Sequence, residues 1–247
     1  MLKGLYTSAM GLAYLTRQQE VSSNNLSNVN TPGYKKETTI ARSFPNILLS
    51  RLNDPAAAGD KPPVVGRLSM GVQLAEMVTD YSRGLIQQTA NPLQMALMDE
   101  GYFTVETPYG ERYTRNGEFQ LDPQGYLVTS DGYNVMGQKG AINLAGGEFA
   151  VDEQGRIVMD GKEVDALRIV AFTDTPAKEG SSLFFSENVE DLAMPLVAQG
   201  FIESSNSTAI EEMINIISIA RAYESSQRMI QTQDSTLEKA VNEVGRV

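Results

Sequence analysis

The sequence predicts an α+β fold, in which a central antiparallel, all-β domain is flanked by long N- and C-terminal α-helices that pair in a coiled-coil-like manner. Three observations predict it. Apolar residues recur at steps of three and four from the start of the chain to Val29. Short β-prone runs separated by Asp/Gly turns fill the middle. Near the other end Ile216, Tyr223, Ile230, Leu237 and Val244 repeat every seven residues.

The first helix is read from Leu5, Ala9, Leu12, Leu15 or Thr16, Gln19, Ser22, Leu26 and Val29. Its stripe is narrow and bordered by Ser8, Gly11 and Ala13, which suits close helix–helix contact, with an ordinary surface helix as the alternative. Its end is rich in Ser and Asn (Ser22-Ser23-Asn24-Asn25-Leu26-Ser27-Asn28), whose side chains compete for backbone hydrogen bonds. Such a stretch is helical only if packing makes it so. Thr31-Pro32-Gly33 then stops the helix, since a residue before proline is biased away from helix and glycine frees the turn.

Residues 37–65 read as an irregular linker, with Pro45, the run Asp54 to Asp60 and Lys61-Pro62-Pro63, and at most a short strand or helical turn from Phe44 to Leu52. Residues 66–200 read as the β-rich domain. Strands are expected at 72–78, 101–106, 118–121, 126–129, 133–136, 148–151, 156–159 and 167–172. Asp122-Pro123-Gln124-Gly125 and Asp152-Glu153-Gln154-Gly155 have matching flanks and predict type I turns closing on a left-handed glycine. Asp131-Gly132 and Asp160-Gly161 follow as hairpin turns. Two hairpin units explain these acids without calcium, because the spacing of a calcium loop is missing.

Residues 201–247 return to helix, with Ser204-Ser205-Asn206-Ser207 offering caps and Glu211-Glu212 in the first turn. Met213, Ala220 and Val241 are expected to partner the sevenfold line, interrupted by Gln227 and Asp234. A terminal helix docked on its own β domain remains the alternative. The organisation is thus 1–36 assembly helix and turn, 37–65 linker, 66–200 β domain and 201–247 assembly helix.

Composition narrows the function. The chain has no cysteine and no histidine, which excludes disulfides, thiol chemistry, His-dependent zinc sites and most acid–base schemes. A net charge of −11 argues against nucleic acid. No apolar run reaches membrane-spanning length, and the N-terminus lacks a clean signal-peptide pattern, so neither membrane insertion nor cleavage is expected. No cofactor, metal or catalytic site is expected, and the chain reads as a non-enzyme. Two terminal helices of matching pattern, the first too polar to be stable alone, point to self-assembly. The rivals are a carboxylate-dependent cell-wall hydrolase and a monomeric secreted binding protein.

Four stretches carry a resemblance: Asn24-Asn25-Leu26-Ser27-Asn28-Val29-Asn30-Thr31-Pro32-Gly33-Tyr34; Thr89-Ala90-Asn91-Pro92-Leu93 through Gly101-Tyr102-Phe103; Tyr113-Thr114-Arg115-Asn116-Gly117-Glu118-Phe119; and Gly200-Phe201-Ile202-Glu203-Ser204-Ser205-Asn206 running on to Arg221-Ala222-Tyr223-Glu224. In this order they resemble the bacterial flagellar rod and hook family, in particular basal-body rod subunits of the FlgF/FlgG type. The short passage from Gly137 to Gly140 favours the proximal, FlgF-like kind. The resemblance implies a structural subunit exported by the flagellar apparatus without a cleaved signal, with itself and other rod subunits as partners, in a rod that crosses the cell envelope. The assembly interface is expected at Leu5, Leu12, Asn24, Asn25, Leu26, Asn28, Val29, Met213, Ile216, Tyr223, Ile230 and Leu237, and the outward turn at Thr31, Pro32 and Gly33.

Overall fold

A computed structural model describes residues 2–50, 64–69, 71–144, 147–159 and 161–244. Helix α1 (Leu2–Ser27) opens the chain and helix α2 (Ala209–Lys239) closes it, continuing into a short π-helical turn at Ala240–Val244. Every paired strand with a defined direction between them is antiparallel, so the fold is α+β. The chain divides into two compact units. One holds Met1–Asn24, Glu37–Val78 and Ile210–Val247, and the other holds Asn25–Lys36 and Thr79–Ala209.

In the first unit, α2 shelters Glu212, Ile216, Ile219, Tyr223, Ser226, Ile230, Gln233 and Leu237. Steps of four and three alternate along this line, the spacing of a helix seam. It contains Ile216, Tyr223, Ile230 and Leu237 of the predicted sevenfold line, whereas on the predicted partner line Ala220 is half-buried and Met213, Gln227, Asp234 and Val241 are exposed. Either side of Ile216 and Tyr223 satisfies helical geometry, and the side chosen is the one bearing Ile219, which is 4% exposed. The rejected side leaves a second apolar face, Ile210, Met213, Ile214 and Ile217, open to solvent. On α1 the sheltered residues Gly4, Ser8, Gly11, Leu15, Gln18 and Ser22 follow the same alternation. Gly4 lies against α2: a Cβ added there would sit 2.7 Å from Gln233 Nε2.

The described part of the stretch read as a linker carries two strands, Glu37–Ser43 and Ile47–Ser50, the second inside the Phe44 to Leu52 stretch where a short strand is one of the two expectations. Glu37–Ser43 pairs with Val72–Thr79, and Ile47–Ser50 pairs antiparallel with Val64–Leu68, Leu48 opposite Arg67. Pro45 occupies the corner between two strands, where a missing N–H costs no ladder bond. The Asp54 to Pro63 stretch lies outside the described residues. This ribbon touches α1 through Tyr14 Oη and Thr39 Oγ1 at 3.3 Å, and through Arg17 and Met77 Sδ at 3.4 Å.

The second unit is built on a nine-stranded sheet. Tyr102–Thr107 is its spine, paired with Gly110–Thr114 on one edge and with both Asn134–Val135 and Ile169–Phe172 on the other. A three-stranded meander (Phe149–Val151, Arg156–Met159, Lys162–Ala166) lies beside it. The core joins Phe103, Val105, Phe119, Leu127, Val135 and Ile169 of the sheet to Val151 and Ile157 of the meander. Both predicted Asp–Gly turns form: Asp122 Oδ1 accepts from Gln124 and Tyr126, Asp152 Oδ1 accepts from Gln154 and Arg156, and Gly125 and Gly155 have φ of 86° and 73°. Two further pairs, Met95–Leu97 with Val197–Gln199 and Ile86–Gln88 with Phe201–Glu203, lead the chain toward α2.

Candidate functional site

The Ser/Asn-rich end of α1 unwinds through tight turns. Asn28 N donates to Asn25 O, Val29 N to Leu26 O and Thr31 N to Asn28 O. Pro32 ends the run, and Gly33 turns the chain at a φ of 67°, a left-handed value glycine adopts without a Cβ penalty. Tyr34 follows at 1% exposure, and its phenol donates to Asn25 Oδ1 at 3.0 Å. This bond explains an asparagine that helix propensity does not: Asn25 is 2% exposed and serves as acceptor for a buried hydroxyl.

Lys35 reaches inward. Its ammonium donates to Glu203 Oε1 at 2.7 Å and to Ser82 O at 2.9 Å. The other carboxylate oxygen, Glu203 Oε2, accepts from Arg115 Nε at 2.7 Å. Arg115 also donates to the carbonyls of Leu97 (3.0 Å) and Gly101. Gly84 N donates to Glu203 Oε1 at 3.1 Å, while Glu203 O accepts from Gly33 N at 2.8 Å. The three charged side chains are 1–5% exposed. Burial on its own would raise the Glu203 carboxyl, but Arg115 first and Lys35 second outweigh it and hold it below the usual carboxylate range. Burial pushes the Lys35 ammonium down, and the bond to Glu203 offsets only part of this. Arg115 and Lys35 together keep Glu203 ionised.

Around this triad the two segments next to the helices are stitched together. Lys36 N donates to Asn206 Oδ1 at 2.8 Å, Asn206 Nδ2 donates to Asp80 O at 2.7 Å, and Asn206 N donates to Tyr34 O at 3.3 Å. Lys178 sits 4.0 Å over the Tyr34 ring and donates to Lys35 O at 2.8 Å. Lys35 and Arg115 also line a cavity of about 560 Å³ with Tyr81, Arg83, Tyr102 and Phe172. Burial pushes Tyr102 up to about 12, so it stays a neutral phenol.

Of the residues expected at an assembly interface, Asn25 is buried against Tyr34, and Leu5, Leu12, Leu26, Asn28 and Val29 are half-buried. Asn24 and Met213 are exposed, whereas Ile216, Tyr223, Ile230 and Leu237 share the sheltered line of α2. Thr31 Oγ1 donates to Asn28 Oδ1 at 3.3 Å, which places the turn of Thr31, Pro32 and Gly33 directly behind α1. Sequence reasoning gave no role to Lys35, Arg115, Glu203 or Lys178, and read Asn206 only as one of the capping residues before α2; the structure instead uses it to join Lys36 to Asp80. Four of these five stand in or next to the quoted stretches, and ionisable residues inside otherwise apolar or turn-forming segments were the available signal.

Three family models match the chain: Flagella basal body rod protein at residues 5–35, Flagellar hook protein FlgE/F/G D1 domain at 96–159, and Flagellar basal body rod FlgEFG protein C-terminal at 198–243. Similar relatives include the flagellar basal-body rod protein FlgG of Bacillus subtilis, 29% identical across 98% of this chain and 99% of its own. The flagellar basal-body rod protein FlgF of Rhizobium meliloti is 29% identical across 99% of both chains. The flagellar hook-basal body complex protein FlhO of Bacillus subtilis is 26% identical across the whole of both.

Proposed function

Since the chain belongs to the flagellar basal-body rod family, FlgF/FlgG type, and is a structural subunit of that rod, we propose that it assembles through its two terminal helices into a helical tube that transmits motor torque. The observation that carries this reading is the second apolar face of α2. Ile210, Met213, Ile214 and Ile217 are 51–74% exposed on one short stretch of helix. Burying each against a neighbouring copy would contribute roughly 1.5–3 kcal/mol, and the gain repeats at every subunit. A patch that differs from the surface it meets gives head-to-tail contacts, which build a ring or a helix rather than a closed dimer.

In this reading Leu5, Leu12, Leu26 and Val29 meet Met213, Ile216, Tyr223, Ile230 and Leu237 in inter-helix seams, with Asn24, Asn25 and Asn28 at the end of the α1 seam. Thr31-Pro32-Gly33 turns the chain out of the seam-forming helix α1. The exposed apolar residues of the Glu37–Val78 ribbon, among them Ile40, Leu48 and Val65, offer a further contact for neighbours. In the same reading the subunit reaches the rod through the flagellar export apparatus. We assign it to the proximal, FlgF-like position on the tight passage at Gly137 and Gly140, where Gly137 N donates to Gly140 O at 2.7 Å.

Sedimentation and negative-stain microscopy of the purified chain test the reading. Concentration-dependent filaments or rings, lost in Ile217→Asp, are expected. A chain that stays monomeric at high concentration and in mixtures with other rod subunits would overturn it.

A further inference from the structure

We propose that Glu203 is a positioning residue that braces the segment following α1 against the segment preceding α2, so that a displacement of either is felt by the other. The use made of the brace, carrying load between two assembly helices, rests on the rod reading; the coupling itself does not.

Glu203 is reached by groups from distant parts of the chain: Lys35, Gly33, Gly84 and Arg115. Its backbone carbonyl and both carboxylate oxygens are engaged, so it can shift only if bonds to both segments shift with it. Arg115 fixes the position, because each of its two terminal nitrogens donates to a carbonyl of the β unit, Gly101 O and Leu97 O. Gly84 is backed so closely by Ser204 that a Cβ there would lie 1.8 Å from Ser204 O. An apolar cluster of the same volume would hold these segments as firmly but would not fix their register. A buried ion pair contributes geometry more than net stability. The bonds of Asn206 to Lys36 and to Asp80 repeat the link on the far side of Ser204 and Ser205.

Hydrogen exchange on the full chain tests the brace. In increasing sub-denaturing urea, the amides of Gly33, Gly84, Ser204 and Asn206 should merge into one opening isotherm, separate from that of the Phe149–Val151 and Arg156–Met159 strands. Lys35→Met should speed exchange at Ser204 and Asn206 about tenfold or more. Glu203→Gln should do the same at Gly33 and Gly84, with the meander amides unchanged. Distinct isotherms for Gly33 and Ser204, or a Lys35→Met effect confined to residues 33–36, would overturn the proposal. So would equal acceleration of all amides including the meander, since that marks global destabilisation. If either variant fails to fold, the wild-type isotherms decide alone. Assembly is measured separately on the same wild-type chain, so a monomeric chain with coupled segments sinks the rod reading and leaves the brace standing.

Discussion

Gly33 lies so close to the backbone of Arg115 that a Cβ added to it would sit 2.4 Å from the Arg115 carbonyl carbon. The turn behind α1 is therefore seated in the β unit at backbone contact distance. Its φ of 67° adds a second reason for glycine. Gly33→Ala should cost about 1–2 kcal/mol for the left-handed backbone and a further ~1–3 kcal/mol for forcing the two backbones apart. Gly132→Ala is the control. Its φ is 83° and nothing lies within 4 Å of an added Cβ, so only the first cost applies. Urea midpoints of the two variants should differ, with Gly33→Ala clearly lower.

Removing the Glu203 carboxylate leaves Arg115 and Lys35 buried without an anion. Breaking such a pair costs about 3–5 kcal/mol, since the uncompensated charges stay in a low-dielectric site. Glu203→Leu should lower the melting temperature strongly. The exposed pair Arg112–Glu179, 2.6 Å apart but with Glu179 47% exposed, should contribute at most about 1 kcal/mol when Glu179→Ala is made. Comparable losses from the two changes would contradict the weight placed on burial.

The pH dependence follows from the sign of the Glu203 shift. Its folded value is depressed below the ordinary 4.5, so the unfolded chain binds the proton more readily. Its contribution is fully present above pH 4.5 and is lost as pH falls through the folded value. Wild type should lose stability more steeply on acidification below 4.5 than Glu203→Gln, which has no such group to titrate. Parallel acid-unfolding curves would show that Glu203 is not the group responsible.

Some of this fold was legible because its signals are local. The Asp122 and Asp152 turns were readable because an Asx bond and a left-handed glycine need only five residues to declare themselves. The sevenfold line of α2 was readable for the same reason, but the side carrying its partner was not. That choice depends on what packs against Ile219, which sequence spacing does not contain. Of the ribbon strands, Ile47–Ser50 falls where a short strand or helical turn was the reading, while its partner Val64–Leu68 was obscured by the prolines and glycine before it. The triad was hidden for a different reason. Lys35, Arg115 and Glu203 are 80 and 88 residues apart along the chain, and each alone looks like a solvated surface charge. Only folding brings them together.

The division of labour around Lys35 predicts how truncation behaves. Asn25–Lys36 belongs to the β-containing unit, whereas the helix before it does not. A chain lacking residues 1–24 keeps Gly33, Tyr34 and Lys35 on Glu203 and Asn206. A chain lacking residues 1–36 loses the Lys35 ion pair, the Tyr34–Asn25 bond and the Lys178 contact together. Calorimetry should find the second truncation several degrees less stable than the first, since about 1 kcal/mol moves a domain of this size by roughly 2–4 °C. Equal melting temperatures would mean that the segment is a passenger.

Assembly should separate the two faces of α2. Ile230 lies on the sheltered line and Ile217 on the open face, 53% exposed. Ile230→Asp places a carboxylate in the half-buried seam of the helical unit. It should abolish polymerisation and loosen α2 while leaving the β-containing unit, which does not include this residue, folded. Ile217→Asp removes an apolar group that is already in water. It should leave the monomer's melting curve within about 0.5 kcal/mol of wild type while still blocking assembly. Circular dichroism on the monomer and pelleting of assembled material read these two outcomes independently. A folded, polymerising Ile230→Asp chain would refute the seam. Assembly of Ile217→Asp at wild-type concentration would instead place the subunit contact elsewhere, and the exposed ribbon residues Ile40, Leu48 and Val65 would then be the next apolar surface to probe.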